Sequence, residues 1–308
     1  MTRYDVAIVG GGPAGLNAAI VLGRCRRSVV VIDDGQPRNY AAREIHGYLG
    51  IEGVSPWELR QLGRREAARY GVEFIDAQVT RACTLACGDG NSRRDAFELS
   101  IADRPAIRCV KLLLATGVKD RLPEIAGLGD FYGVSVHHCP YCDGWEHRDQ
   151  RIVALGAGPA AVGLALSLRT WSRQIVACTD GLKLAEADRQ RASRNGIAIR
   201  QERAVRLEGT QGRLERLHFD AGPPLPCDAL FFASELVQRS RLPSMLGCEC
   251  DERGLILTKG KQGSGIPGLF LAGDADGDVQ FSIVAAAEGA IAATAINREL
   301  QDEQRGEG

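Results

Sequence analysis

The chain has 308 residues, of which 44% are apolar, 25% are charged and 6% are aromatic. This balance excludes a disordered or collagen-like chain and provides enough apolar material for about two globular domains. Because the chain has 38 basic and 39 acidic residues, its formal charge is −1. There is therefore no electrostatic argument for a nucleic-acid or anionic-membrane partner.

The first residues run directly into an apolar strand pattern, without the charged region, apolar stretch and cleavage site of a signal peptide. Glycine, proline or Glu288 interrupts the weakly polar runs 152–168 and 282–296, so no transmembrane segment is predicted. We therefore expect a cytoplasmic protein, in which most of the ten cysteines stay reduced.

The first 33 residues predict a βαβ unit that binds a dinucleotide. A strand, a glycine turn and a helix fill residues 6–24, and a second strand covers 28–32. The turn fits the pattern G-x-G-x-x-G, in which glycines let backbone N–H groups and a helix N-terminus approach a pyrophosphate. Its three glycines are Gly10, Gly12 and Gly15. Asp33 ends the second strand, where a carboxylate can hold an adenosine ribose hydroxyl.

The next segment predicts a helix over 56–70 and several short strands between residues 76 and 109. Gly88–Asn91 has the composition of a hairpin loop. An apolar strand over 111–116 then ends at Gly117.

From Arg151 the βαβ pattern is repeated. A strand over 152–155, a glycine turn, a helix over 160–169 and a strand over 174–177 follow one another. The turn has alanine in the third glycine position, and its residues are Gly156, Gly158 and Ala161. The repeat predicts an α/β protein with two Rossmann-like, three-layer dinucleotide-binding domains.

The C-terminal segment predicts a strand that ends in Gly273-Asp274, followed by an alanine-rich helix over 281–300. A single strand and helix cannot bury their apolar faces alone, so we expect them to complete the first sheet. The first domain is then discontinuous, with residues 1–117 and 247–308, and residues 118–246 form the central domain.

A C-x-x-C pair, Cys139 and Cys142, is the most specific chemical feature of the sequence. Such a pair favours a redox-active disulfide, because one thiolate with a lowered pKa is a competent nucleophile. A structural zinc site needs four ligands, and the nearby histidines, His137, His138 and His147, leave that alternative open together with inert cysteines. Asp143 is a candidate proton donor or acceptor, or else a helix N-cap.

His137 or His138 could lower the pKa of the Cys139 thiol or relay its proton. His46 and His218 are expected to be packed or surface residues. The other eight cysteines are expected to be small core residues without chemistry. They are Cys25, Cys83, Cys87, Cys109, Cys178, Cys227, Cys248 and Cys250.

Several motifs occur in the order and spacing of one known family. They are Gly10–Gly15, Ala115-Thr116-Gly117, Cys139–Gly144, Gly156–Ala161 and Ala272-Gly273-Asp274. Over nearly the whole chain, the sequence resembles the low-molecular-weight thioredoxin reductases. The resemblance implies a FAD domain built from both ends of the chain, a central domain that carries the disulfide, and a homodimer.

The resemblance also implies roles for individual residues. The FAD pyrophosphate and ribose would be held by Gly10, Gly12, Gly15 and Asp33. The rest of FAD would be lined by Ala115, Gly117, Gly273 and Asp274. Cys142 would face the flavin, Cys139 would exchange with a thioredoxin-like protein or a small dithiol or disulfide, and Asp143 would move the proton.

The second dinucleotide site departs from the family. Where NADPH-dependent members have a His-Arg-Arg cluster for the 2′-phosphate, this chain has Thr179-Asp180-Gly181, and an aspartate would repel a phosphate. The family has an acidic residue shortly after the glycine turn, and this chain has Gly163 there. The family also has an Arg-Gln pair after the C-terminal Gly-Asp, and this chain has Phe281-Ser282 instead. NADPH is therefore doubtful, and the sequence most resembles the NADPH-independent branch, with diflavin-linked oxidoreductases and dithiol oxidases.

In that branch a second FAD would occupy the turn made by Gly156, Gly158 and Ala161, with electrons running from a dithiol to flavin. Four alternatives stay open. The second site could be vestigial and bind no dinucleotide. NAD could bind with Asp180 or Thr179 on its ribose. An NAD(P)H-dependent thioredoxin reductase could use other cations, such as Arg189, Arg191 or Arg194. A binding or sensing protein could hold FAD without turnover.

Overall fold

The computed structural model describes residues 2–85, 96–277 and 279–306. The chain divides into two compact units. The first comprises Met1–Tyr40, Gly47–Lys119 and Leu236–Gly308, and the second comprises Ala41–His46 and Asp120–Glu235. The predicted hairpin loop Gly88–Asn91 and Cys87 lie outside the described residues.

The helices and strands follow one another in this order. The first half contains β1 (Thr2–Val9), α1 (Pro13–Arg24), β2 (Val29–Asp33), α2 (Pro56–Ala68), β3 (Glu73–Asp76), β4 (Val79–Thr84), β5 (Phe97–Ile101), β6 (Arg104–Leu114), β7 (Val118–Arg121), α3 (Leu128–Phe131), β8 (Val136–His137) and α4 (Pro140–Asp143). The second half contains β9 (Ile152–Leu155), α5 (Pro159–Leu168), β10 (Ile175–Cys178), α6 (Glu186–Arg194), β11 (Ala198–Arg200), β12 (Ala204–Thr210), β13 (Arg213–Phe219), β14 (Leu225–Pro226), β15 (Ala229–Phe232), β16 (Glu235–Gln238), α7 (Leu242–Leu246), β17 (Leu269–Leu271), a 3₁₀ turn (Asp274–Asp276) and α8 (Ser282–Arg305).

The first unit is built on a seven-stranded sheet in which β1 lies between β2 and β6. The strands at its centre are parallel and buried on both faces, which explains their continuous apolar runs. Val9 pairs with Ile32 on one side and with Leu114 on the other. The carboxyl ends of these strands therefore lie at one edge of the sheet.

The long strand β6 pairs with β1 on one side and with two successive strands on its other side. Its first half pairs with β5 in antiparallel orientation, and its second half pairs with β17 in parallel orientation, with Leu271 beside Leu114. The C-terminal strand therefore returns to the first sheet, as the sequence predicts. α8 follows this strand and packs with α1 on one face of the sheet.

The second unit has a five-stranded parallel sheet in the order β11-β10-β9-β15-β8. α5 and α6 cover one face, and the antiparallel sheet β12-β13-β14 covers the other. Two α/β units with parallel sheets confirm the predicted fold class. The layer opposite the helices is a sheet in this unit, because β12 and β13 bury Leu207 and Leu217 against it.

The segment 236–246 differs from its sequence assignment. The structure also clusters residues 118–119 with the first unit and residues 41–46 with the second, against their sequence assignment. The sequence places 236–246 in the central domain, whereas the structure clusters it with the first unit. The reason is packing, because Leu242 is buried among Val79 and Ala82 of β4 in the core of that unit. Among the described residues, no helix is both long and apolar enough to cross a membrane.

Two helical glycines give a matched test of the packing. A Cβ atom on Gly289 of α8 would lie 2.0 Å from the Ala14 carbonyl oxygen of α1, whereas a Cβ on Gly163 of α5 would meet no atom within 4 Å. We expect Gly289→Ala to destabilise the protein by about 1–3 kcal/mol, because the two helices must separate. Gly163→Ala should be neutral or stabilising by up to about 1 kcal/mol. Thermal unfolding of both variants checks this, and equal effects would contradict the packing described here.

Candidate nucleotide and disulfide sites

The first glycine turn connects β1 to α1 at the carboxyl edge of the large sheet. Gly10 has φ 112°, and a Cβ there would lie 2.2 Å from the Ala115 carbonyl oxygen. A Cβ on Gly15 would lie 1.9 Å from the Gly10 carbonyl oxygen, so both positions require glycine. Gly12 is the N-cap residue of α1, and no side chain forms a capping hydrogen bond there. A Cβ on Gly12 would meet no atom within 4 Å. This open N-terminus has the form of a pyrophosphate cradle.

Asp33 ends the neighbouring strand and is buried beside the glycine turn. Its Oδ1 accepts a hydrogen bond of 3.0 Å from the Gly11 N–H, and its Oδ2 accepts one from the Arg60 guanidinium. Arg60 also donates to the Gly11 carbonyl oxygen at 3.3 Å. A carboxylate has about four lone-pair sites, so Asp33 keeps acceptor capacity for a ribose hydroxyl.

Arg60 is missing from the sequence prediction. It lies in α2, which is brought to the turn by tertiary packing, and one arginine among many carries no local signal.

The other predicted residues of this site follow β6 and β17 at the same edge. Gly117 has φ 64°, and the buried Thr116 hydroxyl beside it has no hydrogen-bond partner within the described residues. Asp274 accepts a hydrogen bond of 2.9 Å from Arg38, which also bonds Gln280 at 2.6 Å. Arg38 is a further residue that sequence reasoning missed.

Gly273 is held from behind by the last helix. Its N–H donates to Glu288 Oε2 at 2.6 Å, and the Glu288 side chain is buried. A buried carboxylate needs such donors, since desolvation of an unpaired charge is costly. The sequence contained a signal for this residue, because Glu288 is an acid within an otherwise alanine-rich, apolar stretch.

These features fit a dinucleotide such as FAD. An open helix N-terminus, an acid at the end of β2 and an orphaned buried hydroxyl line one edge of the sheet. The structure therefore brings together the residues that the sequence selected, which are Gly10, Gly12, Gly15, Asp33, Ala115, Gly117, Gly273 and Asp274.

The cysteine pair lies in the second unit, at the short helix α4. Cys139 and Cys142 form a disulfide, and Cys139 is the N-cap of the helix. The Cys142 N–H donates to Cys139 Sγ at 3.2 Å, so a thiolate on this sulfur would have a hydrogen-bond donor. Both residues are partly exposed, as exchange with a partner thiol requires.

Asp143 is the last residue of α4, so the alternative that it caps the helix N-terminus is wrong. Its carboxylate Oδ1 lies 3.2 Å from Nδ1 of the buried His137. His138 points to other groups, with Nδ1 at 3.2 Å from the Tyr132 hydroxyl and Nε2 at 3.7 Å from Asp120. The structure therefore selects His137, and not its neighbour, as the histidine that contacts Asp143.

The remaining histidines have separate environments. His147 is buried and its Nε2 lies 2.9 Å from His137 Nε2. His218 bonds Glu208 at 2.6 Å on the surface of the antiparallel sheet, and His46 lies 3.6 Å from Glu146. Within the parts of the chain that are described, no group of three or more His, Cys, Asp or Glu side chains is arranged to hold a metal ion.

The second glycine turn connects β9 to α5. A Cβ on Gly156 would lie 2.9 Å from the Ala161 nitrogen, and Gly158 has φ 55°, so both glycines are required. Ala161 is fully buried, which shows that this turn accommodates a methyl group in the third position. The loop after β10 follows, with the Thr179 hydroxyl bonded to the Leu182 carbonyl and Asp180 Oδ1 accepting from the Ala204 N–H at 3.1 Å.

The arginines considered as replacements for the missing cluster have other contacts or positions. Arg189 donates to the Leu184 carbonyl at 3.0 Å and Arg194 donates to Gln190. Arg191 lies in the last turn of α6. Lys183 and Arg203 are exposed, and the Arg203 Cβ would lie 3.9 Å from a Cβ on Gly181. Lys183 therefore lies in the loop after β10, and Arg203 lies beside Gly181 of that loop.

Comparisons with known proteins identify the family. Residues 4–289 match the model of the pyridine nucleotide-disulphide oxidoreductases. The thioredoxin reductase tcpT of Claviceps purpurea is 30% identical, over 88% of this chain and 86% of its own length. The thioredoxin reductase of Treponema pallidum is 29% identical, over 96% of both chains. The crystal structure of HlmI superimposes with a TM-score of 0.93 at 32% identity, over 99% of this chain and 96% of that chain.

The chain belongs to the pyridine nucleotide-disulphide oxidoreductase family. Its relatives are thioredoxin reductases, and family membership implies FAD. The protein is thus a flavin-dependent oxidoreductase with a disulfide on the chain.

Arg60 gives a test of the nucleotide site in this pyridine nucleotide-disulphide oxidoreductase. We expect Arg60→Ala to weaken FAD binding about tenfold, because Asp33 loses a charge-assisted hydrogen bond that fixes its orientation. Arg64→Ala is the matched control, since Arg64 lies in the same helix but bonds Asp76 and covers the Phe74 ring. Titration of FAD into the flavin-free proteins measures both, and equal losses would argue against a role for Arg60.

The free cysteines provide a second test. Burial raises the pKa of the Cys178 and Cys227 thiols to about 12, so both stay protonated at neutral pH. Cys25 and Cys250 are exposed. We expect iodoacetamide at about pH 8 to label these two exposed cysteines and to spare the two buried ones, because only thiolates react. Mass spectrometry of the non-reduced protein checks this, and labelling of Cys178 in folded protein would contradict the burial.

Proposed function

We propose that this protein is a FAD-dependent dithiol–disulfide oxidoreductase that works in the dithiol-oxidising direction. A second FAD would occupy the turn of Gly156, Gly158 and Ala161, in place of NADPH. The first FAD would be held by the first glycine turn, Asp33, Ala115, Gly117, Gly273 and Asp274. The partner would be a thioredoxin-like protein or a small dithiol, and the enzyme would be a cytoplasmic homodimer.

The acidic residues in and after the loop that follows β10 are the observation that supports this proposal over an NADPH enzyme. Asp180 lies in that loop, and Glu186 and Asp188 lie in the first turn of the helix that follows. A nucleotide 2′-phosphate placed here would meet negative charges, which is unfavourable at short range. A nucleotide without a 2′-phosphate, such as FAD, avoids this repulsion.

The cysteines would react by thiol–disulfide exchange. A partner thiolate attacks Cys139 Sγ, the bond between Cys139 and Cys142 breaks, and Cys142 leaves as a thiolate. The second partner thiol then attacks the partner's bonded sulfur, which closes the partner disulfide and releases the Cys139 thiolate. Bound FAD would supply a two-electron acceptor for the reduced pair. Asp143 would exchange protons with the thiols, because its carboxylate directly follows Cys142 in the chain.

An NAD(P)H-dependent thioredoxin reductase is the alternative, and one observation favours it. Lys183 and Arg203 are exposed beside the loop after β10, where they could hold a phosphate instead of the missing cluster. The names of the relatives point in the same direction, because they are thioredoxin reductases. The two functions differ in the electron donor, so a direct measurement separates them.

The first experiment measures FAD per polypeptide after purification without added flavin and denaturation. We expect about two FAD per chain, since both glycine turns would be filled. Anaerobic dithiothreitol should then bleach the flavin absorbance, while NADPH and NADH should not. A ratio of about one FAD per chain would contradict a second bound FAD. Rapid bleaching by NADPH would establish the NAD(P)H-dependent thioredoxin reductase instead.

Cysteine variants test whether the disulfide takes part. Cys139→Ser and Cys142→Ser should each abolish bleaching by dithiothreitol, because exchange needs both sulfurs. The exposed Cys25 supplies the control, and Cys25→Ser should bleach like the unmodified protein. If both variants of the pair still bleach, the disulfide is not the route of the electrons. A protein that only holds FAD would show no thiol-driven bleaching in any form.

A further inference from the structure

A chain of polar side chains within the second unit begins at the half-buried Asp143 and ends at the half-buried Gln150. Asp143 Oδ1 lies 3.2 Å from His137 Nδ1, and His137 Nε2 lies 2.9 Å from His147 Nε2. His147 Nδ1 lies 2.9 Å from Gln150 Oε1. Both histidines are buried. The exchange mechanism above uses Asp143 alone, so these two histidines have no role in it.

The amide of Gln150 fixes the protons along this chain. Its Oε1 can only accept, so His147 Nδ1 carries a hydrogen and donates it. Burial lowers the pKa of His147, so the ring is neutral at neutral pH and its Nε2 is an acceptor. His137 Nε2 must therefore carry a hydrogen and donate it to His147.

This arrangement constrains the contact between His137 and Asp143. In a neutral His137 with the hydrogen on Nε2, the Nδ1 atom has only a lone pair. An ionised carboxylate oxygen 3.2 Å from that lone pair would be repelled. The contact is favourable when one proton lies between the two groups, either on Asp143 or as an imidazolium opposite a carboxylate.

We propose that Asp143 and His137 share one proton and together form the acid–base group of the cysteine pair, with His147 and Gln150 as positioning residues that fix the His137 ring. This proposal rests on the proposed function, because it assigns the proton donor for that exchange. When a thiolate leaves Cys139 or Cys142, the shared proton goes to its sulfur. When a partner thiol attacks, its proton returns to the pair, so protons balance over one exchange.

The other acids near the two histidines have partners of their own. Glu146 and Asp228 also act on His147, and each has its own partner, His46 at 3.6 Å and Arg151 at 2.6 Å respectively. From β15, Phe231 packs against both imidazole rings without adding a charge. Asp143 is thus the acid in direct contact with His137.

The test measures the alkylation of Cys139 against pH in the FAD-loaded Cys142→Ser protein. In this background Cys139 is the single thiol of the pair, and mass spectrometry follows its peptide. His137→Gln should raise the midpoint by about one pH unit, because Asp143 then stays ionised and opposes a second negative charge. His147→Leu should raise it by a smaller amount, since a freed His137 ring can donate to an ionised Asp143.

A double variant separates this role from a structural one. In the Asp143→Asn background, His137→Gln should leave the midpoint unchanged, because the charge that it exposes is gone. His138→Gln is the matched control and should not shift the midpoint in either background. If His137→Gln does not fold, the shift in His147→Leu decides.

An unshifted midpoint in both histidine variants would overturn the proposal, as would a His137→Gln shift that persists without Asp143. Alkylation does not require dithiol turnover. Failure of the proposed function, seen as an absence of flavin bleaching by dithiothreitol, is therefore distinguishable from failure of the shared proton.

Discussion

The parallel register of β1, β6 and β17 is the constraint on which the nucleotide site depends. Val9, Leu114 and Leu271 lie side by side at the ends of these strands. Because the strands stop at one level, the segments after them reach the same edge from three distant parts of the sequence. Gly10 can then approach Ala115 so closely that a Cβ would lie 2.2 Å from a carbonyl oxygen. Glycine at this position is a consequence of the register.

Ion pairs and hydrogen bonds from helices hold this edge in place. Arg60 bonds the Asp33 carboxylate, and buried Glu288 accepts from the Gly273 N–H at 2.6 Å. Each contact satisfies a group whose burial would otherwise be costly. The strands set where the site lies, and α2 and α8 set the orientation of its polar groups. Loss of a helix contact should therefore weaken ligand binding before it disturbs the sheet.

Sequence patterns predict the parts that depend on local spacing. The two glycine turns, with a strand on each side, indicate both parallel sheets, and Cys139 and Cys142 indicate the disulfide. The pattern does not reveal the contact of Arg60 with Asp33 or that of His137 with His147, because tertiary packing brings these residues together. The same reason explains segment 236–246, which lacks a strong periodic pattern and is placed by the burial of Leu242.

Both βαβ units have an acid near the end of the second strand, but its position and its hydrogen-bond partners differ. Asp33 accepts from a cation, and Asp180 accepts from the Ala204 backbone N–H at 3.1 Å. The first turn demands glycine where the second accommodates Ala161, so the two cradles are not identical. Asp33 directly follows Ile32, the partner of Val9. In the second unit the residue that directly follows Cys178, the partner of Leu155, is Thr179, and Asp180 comes one residue later. Asp180 is therefore not the positional counterpart of Asp33, and the two units present different polar groups beside their glycine turns.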